Sequence, residues 1–399
     1  MKVAVLGGAG LMGSGTVRDL VSAQSSGFEA VLVADMNEGA AHRLVTEVGD
    51  RRLQAMGLDV RDREALLRLL EQVDVCINGV PTFAGFQMDI FHACLEARRH
   101  YLDYGGMGVF TVRQKAEAAD WERAGVTAVL SNGADPGMSN MLCKAVAEGM
   151  DTVEAINLYW AAATIGPESP VLVPPYNIAT LLGEYANPSR QFLDGGLVEV
   201  PAQSGQETLL LPPPFGETEF MHTQHSEPLT VPFARGIADK GIREFTWRLH
   251  LPAAEHQVYR ALVKAGFGDF TDPLHIRGVD ITPAEYLEAL IARNLERNRD
   301  RIPQQEYHEI HLAIGRGTKE RKPARVTCTV QVGPDPFFDG YNDAATSMNM
   351  SIAAQLLARH PNLPGVWGPE EYFDTAEYFE ELRKRHFGVT RTTEAVEDL

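Results

Sequence analysis

Residues 1–13, Met1-Lys2-Val3-Ala4-Val5-Leu6-Gly7-Gly8-Ala9-Gly10-Leu11-Met12-Gly13, decide the fold. An apolar run of strand length breaks into G-x-G-x-x-G and then into helical periodicity, which predicts a strand, a tight turn and a helix start. In this reading Gly8 permits the turn, Gly10 leaves the backbone bare for a pyrophosphate, and Gly13 lets the helix lie close to the strand. Ala9, Leu11 and Met12 complete the phosphate loop, where an anion meets the free N–H groups and positive end of the helix. A second apolar run, Ala30 to Ala34, ends on Asp35, 22 residues after Gly13. That is near the spacing of about 20 at which an acid holds the adenosine ribose. A carboxylate there accepts from a 2'-hydroxyl and repels a 2'-phosphate, and the adjoining Met36 and Asn37 bring no cation. The expected cofactor is therefore NAD, with NADP less favoured. Arg43, the neighbour that could reverse this choice, reads as a solvated helix arginine.

Working outward, strands and helices alternate to about residue 135, as in an α/β domain with a doubly wound parallel (Rossmann) sheet. The third strand ends at Gly57-Leu58-Asp59-Val60 and the fourth at Asn78-Gly79-Val80-Pro81. In such sheets ligands lie beyond the strand carboxyl ends. Asp59 and Val60 are thus placed beside the adenine, and Asn78, Gly79 and Pro81 beside the nicotinamide ribose. As a plain structural residue, Asp59 would cap the following helix.

From Thr152 the pattern changes to strands separated by long proline-rich connections. Glu306 to Ile314 and Arg325 to Val332 alternate as in a half-exposed antiparallel sheet. This predicts an α+β second domain with a mostly antiparallel sheet over 136–340, after a first domain over 1–135. Residues 341–399 read as helices returning to the first domain, because an amphipathic helix needs an apolar face to cover.

The chain has 399 residues, 44% of them hydrophobic, and a formal net charge of -18. That charge argues against nucleic acid or anionic membrane as a partner, since phosphate is bound through clustered Lys and Arg. No apolar run reaches the roughly 18 residues of a membrane span, and the N-terminus enters a strand without a basic leader. A cytoplasmic protein is expected. Cys76, Cys94, Cys143 and Cys328 are scattered, as buried reduced thiols would be, and no spacing calls for a metal.

Four residues are candidates for chemistry. Asp135 ends the sixth strand in a D-P-G turn, where it serves equally well as a helix cap. Tyr104, at the neighbouring strand end before Gly105-Gly106, brings a hydroxyl to the crevice. His222 and His225 lie in Met221-His222-Thr223-Gln224-His225-Ser226-Glu227, the most polar stretch of the second domain, and imidazole titrates near neutrality.

Val-Leu-Gly-Gly-Ala-Gly-Leu-Met-Gly, Val-Asp-Val-Cys-Ile-Asn-Gly, Tyr-Leu-Asp-Tyr-Gly-Gly and Ala-Asp-Pro-Gly-Met-Ser-Asn, in this order, resemble the saccharopine dehydrogenase family, and within it the lysine 6-dehydrogenase branch. The resemblance implies a nicotinamide-dependent oxidoreductase acting on the C–N bond of a small amine or amino acid. It also implies a second domain that closes the substrate site and forms a homodimer. Oxidative deamination is one form of that reaction; a reductase joining an amine to a keto acid is another. A non-catalytic redox sensor would use the same nucleotide domain. The segment Gln224 to Pro228 departs from the lysine 6-dehydrogenase pattern and reshapes a pocket wall. An amino-acid substrate would need a cation for its carboxylate, for which Arg235 and Arg243 are the candidates.

Overall fold

The structure, a computed structural model, describes residues 1–105, 108–361 and 363–395, so Gly106 lies outside the described residues. The first six strands are β1 (Lys2–Leu6), β2 (Ala30–Asp35), β3 (Leu53–Gly57), β4 (Val75–Asn78), β5 (His100–Asp103) and β6 (Thr127–Val129). Then follow β7 (Thr152–Ile165), β8 (Ser189–Leu193), β9 (Gly196–Val200), β10 (Glu207–Leu211), β11 (Gly216–Phe220) and β12 (Glu244–His250). The last six are β13 (Leu274–Ile276), β14 (Val279–Ile281), β15 (Glu306–Lys319), β16 (Lys322–Val332), β17 (Gly365–Trp367) and β18 (Gly388–Ala395).

The first sheet runs β17-β6-β5-β4-β1-β2-β3, every neighbouring pair parallel. β1 and β4 are adjacent, and the chain leaves β1 toward one edge and β4 toward the other. The crevice beyond their carboxyl ends is where such a sheet receives a ligand. The second sheet runs β18-β16-β15-β7-β12-β8-β9, antiparallel except for the β7 and β12 pair.

Helix Met138–Glu148 lies between the sheets, with Met138, Met141, Leu142, Ala145 and Val146 all buried. A Cβ at Gly315 of β15 would stand 2.2 Å from Val146 Cγ1, so bare strand backbone meets this helix. The principal core cluster therefore joins Val3 and Val31 of one sheet to Ile156 and Val326 of the other.

The C-terminal stretch serves both domains. Helix Ala344–Arg359 packs on helix Leu11–Leu20, where a Cβ on Gly15 would fall 2.4 Å from Ser347 Oγ. β17 adds the edge strand beside β6. The expectation of helices alone is corrected by β18, which crosses to the second sheet and pairs with β16. Its polar sequence hid an edge strand, although Val389, Thr390, Thr392 and Thr393 are the β-branched types such a strand favours. Helix Ala253–Lys264 was also unforeseen; Tyr259 is its one buried residue, which leaves little apolar periodicity to read. The four cysteines are free and buried, and among the described residues no helix is long and apolar enough to cross a membrane.

Candidate functional site

A cleft of about 1580 Å³ opens between the carboxyl ends of the first sheet and the face of the second. At its nucleotide end the glycines divide their tasks differently from the expectation. Gly7, with φ +66°, is the residue that makes the turn, and a Cβ there would come 2.7 Å from Gly79 O. Gly8 is constrained by space instead, since a Cβ would meet Val5 O at 2.8 Å and Val33 Cγ1 at 2.9 Å. A Cβ on Gly13 would lie 2.3 Å from Gly7 O, so the helix start presses on the turn. At Gly10 a Cβ would touch nothing nearer than Gly7 O at 3.1 Å, which leaves room on the cleft side.

Helix Leu11–Leu20 has no side-chain cap at Gly10 and no acid in its first turn. Its first N–H groups are thus available to a phosphate. Asp35 Oδ2 accepts from Ala9 N–H at 3.1 Å and Oδ1 from Asn37 N–H at 2.9 Å, fixing the carboxylate at the loop. The residues present fit a dinucleotide. Of the cofactor residues read from the sequence, all but Gly8 and Ala9 line the cleft. Two offer less than expected. Asn78 is buried, its amide donating to Gln87 and to the Tyr101 hydroxyl. Asp59 is held by Arg61, 2.6 Å away, while Asp62 caps the helix that follows.

The second domain supplies the opposite wall. Along β15, Ile310, Leu312 and Ile314 pack beneath Leu211 and Phe220 of the β10 and β11 hairpin. Tyr307, Glu309 and His311 alternate with them and line the cleft. His311 is 1% exposed, and its Nδ1 stands 2.6 Å from Asp135 Oδ2. Burial disfavours a charged ring, yet the Asp135 carboxylate, with Glu309 beyond it, pushes His311 up to about 10. Burial raises the Asp135 carboxyl, and His311 limits that rise. Asp135 Oδ1 has no hydrogen-bond partner in the protein, and the two ring nitrogens of His311 meet Asp135 and Glu309 as close ion pairs without hydrogen-bond alignment.

A second pair lies close by. His225 stacks on Trp247 at 3.9 Å, and its Nδ1 meets Glu227, which also accepts from Ser139 Oγ at 2.7 Å. Against the effect of burial, Glu227 and then Glu184 raise His225 to about 9. Glu184 itself is raised to about 7 by burial, while Tyr176 donates to it at 2.6 Å.

Asp135 and His225 thus reach the cleft, and the other two candidates are otherwise engaged. Tyr104 lines the cleft, but its hydroxyl lies 2.6 Å from Thr16 Oγ1. Thr16 spends its proton on Ser347 O at 2.8 Å, so Tyr104 donates to Thr16 and ties the loop to the nucleotide helix. His222 is buried away from the cleft, its ring over Gly205 and its Nδ1–H donating to Trp247 O at 3.0 Å. Asp135 is not the helix cap, because helix Met138–Glu148 starts after Gly137, whose N–H is held by Asn140. Arg235 and Arg243 are exposed and do not line the cleft. Among the described residues no group of three or more His, Cys, Asp or Glu is placed to hold a metal ion.

Sequence reasoning missed His311, Glu309 and Glu184. The polar alternation of Tyr307, Glu309 and His311 was the available signal. His311 and Glu184 also set a pH dependence. His311 rises from 6.5 to about 10 on folding, so its stabilising contribution is complete below pH 6.5 and is lost as pH climbs through 10. Glu184, raised from 4.5 to about 7, loses native stability between those values. Both effects have one sign. The unfolding midpoint should fall as pH rises from 6.5 to 10, and less steeply in His311→Gln; a midpoint that climbs over this range contradicts the pairing.

A parallel sheet with a glycine turn and an acid at the end of its second strand, facing a second sheet across a polar cleft, defines a dinucleotide-binding domain joined to a second domain. Residues 3–129 match the saccharopine dehydrogenase NADP binding domain and residues 133–388 the saccharopine dehydrogenase C-terminal domain. The chain belongs to the saccharopine dehydrogenase family of oxidoreductases, and it carries that family's nicotinamide dinucleotide domain. It is 30% identical over 114 residues to alpha-aminoadipic semialdehyde synthase of Arabidopsis thaliana, covering 28% of this chain and 10% of that protein. It is 27% identical over 124 residues to carboxynorspermidine synthase of Vibrio alginolyticus, 27% of this chain and 30% of that one. The fold matches apo saccharopine dehydrogenase (L-Glu forming) of Saccharomyces cerevisiae with a TM-score of 0.74 and 15% identity, over 99% of this chain and 100% of that one.

Proposed function

We propose that the chain is an NAD-dependent oxidoreductase acting at the C–N bond of an amine, by oxidative deamination of the kind lysine 6-dehydrogenase performs. The observation that carries this is the unpartnered Oδ1 of Asp135, in the same cleft as the phosphate turn and backed by His311. A nicotinamide bound there supplies the acceptor for hydride from the nitrogen-bearing carbon. An ammonium has no lone pair to assist the loss of hydride, so the chain must first take a proton. Asp135 Oδ1 accepts it, and the His311 imidazolium orients the carboxylate. Trp247 and Trp160 line this part of the cleft, and the iminium left by hydride transfer releases its nitrogen as ammonia when water adds to the carbon. Joining an amine to a carbonyl, the alternative reading, would use the same groups in reverse.

The test is NADH formation by the purified chain over a panel of amines and amino acids, with NAD and NADP in parallel. Dinucleotide binding without reduction by any member, and without amine-dependent NADH oxidation in the presence of carbonyl compounds, would leave the redox-sensor reading instead. Asp35 supports NAD over NADP. Removing its charge-assisted hydrogen bond in Asp35→Ala should cost about 1.5 to 3 kcal/mol, or about ten-fold or more in NAD affinity. The variant should also narrow the gap to NADP. Equal or better use of NADP by the unaltered chain overturns the choice, with Arg61 the cation nearest that end of the cleft.

A further inference from the structure

Away from its nucleotide end the cleft is acidic and aromatic. Asp135, Glu184, Glu309 and Asp343 line it, and among the described lining residues the sole lysine or arginine is Arg61, already on Asp59. Glu184 is 3% exposed and Glu309 7%, so both face any ligand through little water. The two are linked by aromatic rings: Tyr176 donates to Glu184 at 2.6 Å, and Trp160 Nε1 donates to Glu309 at 3.2 Å. The Trp160 and Tyr176 rings meet edge to face at 5.8 Å. His225 and His311, the other cationic groups, are engaged by carboxylates, His225 by Glu227 and His311 by Asp135 and, at 3.6 Å, by Glu309.

A substrate carboxylate placed here would meet buried acids and no free cation, and like charges in a poorly hydrated site repel strongly. An alkylammonium meets the opposite conditions: carboxylates for its charge, and aromatic faces for its methylenes and through cation–π attraction. Asp135 Oδ1, unpartnered on a side chain that is nine-tenths buried, marks a second point where a donor is wanted, across the His311 ring from Glu309.

We propose that the substrate is a diamine or longer polyamine without a carboxylate. One amine meets Asp135 for oxidation, the methylene chain lies along Trp160 and Tyr176, and the remote ammonium binds at Glu184 and Glu309. This rests on the reading of the site as amine-oxidising and narrows it. Glu184, held near 7 by burial, becomes fully ionised beside such an ammonium.

The experiment compares kcat/KM for NADH formation across matched sets: α,ω-diamines of three to six carbons, the ω-amino acid and monoamine of each length, and lysine. The best diamine should exceed lysine and its own ω-amino acid by about a hundred-fold, given several kcal/mol of like-charge repulsion. Lysine or an ω-amino acid that equals or surpasses the diamine overturns the inference and leaves the amine-oxidising reading in place. No reduction of NAD by any member, and no amine-dependent oxidation of NADH with aldehydes or keto acids, removes that reading and this inference with it. Glu184→Gln tests the remote contact through a ratio that is insensitive to the amount of folded protein. The preference for the diamine over the monoamine should shrink by about ten-fold, the loss of one charge-assisted contact. An unchanged preference removes Glu184 from recognition.

Discussion

Asp135→Asn is expected to lower amine turnover by about 10² to 10⁴ while NADH binding stays within a few-fold. Asparagine keeps the size of the side chain and loses the proton acceptor, which is the role assigned to Oδ1. The substitution also strips His311 of the carboxylate 2.6 Å away, and a buried imidazolium without its partner gives up its proton. His311 should then titrate well below its present value of about 10, a shift that NMR of the ring detects. Turnover and this titration should change together. Asp135 lies outside the Gly7 to Gly13 turn, to which the pyrophosphate is assigned, so an NADH titration serves as the control. Near-normal turnover with NADH still bound would remove Asp135 from the chemistry. A comparable loss of NADH binding would show that the residue shapes the cleft and does not react.

The second large effect concerns Arg385, at the end of helix Thr375–Lys384. It is fully buried. Nε donates to both oxygens of Asp19 at 2.9 and 3.0 Å, Nη1 to Glu381 at 2.9 Å and Nη2 to Ser25 Oγ at 3.0 Å. Asp19 lies near the end of helix Leu11–Leu20, whose other end carries the phosphate turn. Arg385→Met leaves the fully buried Asp19 carboxylate without its cation, and loss of one partner of such a pair costs about 3 to 5 kcal/mol. Denaturant unfolding should register the loss. Pairing it with Asp19→Leu removes the stranded charge and should recover much of the stability. A single variant within about 1 kcal/mol of the unaltered chain would show that water reaches the pair and screens it.

The parts of this molecule legible in the sequence are those with short-range patterns. The glycine turn, Asp35, the strand end at Asn78 and the turn at Asp135 that follows β6 are set by strand, turn and helix spacing within one unit of chain, so they could be placed without any tertiary knowledge. The assignment of the turn to Gly8 went astray because two adjacent glycines satisfy one pattern; the positive φ belongs to Gly7, and the crowding against Val33 to Gly8. His311 stands in an alternating strand and carries no local signature of its own. Its pairing with Asp135 depends on where β15 sits against β7 and on the helix between the sheets, and neither is written in the local sequence. His222 shows the opposite error. The polarity around it satisfies buried backbone, through its bond to Trp247 O, and does not serve a ligand. Tyr104 and Asn78 stand at the crevice as expected, but each spends polar atoms on the protein.

The most direct measurement is the fate of the substrate's hydrogen. The best amine of the panel, carrying deuterium on its nitrogen-bearing carbons, is incubated with NAD and the full chain, and the nicotinamide product is analysed by mass. Transfer of one deuterium to the nicotinamide ring, abolished in step with turnover in Asp135→Asn, is the expected result. Reduced nicotinamide without deuterium, or no reduction although NAD is bound, would contradict hydride transfer from an amine in this cleft.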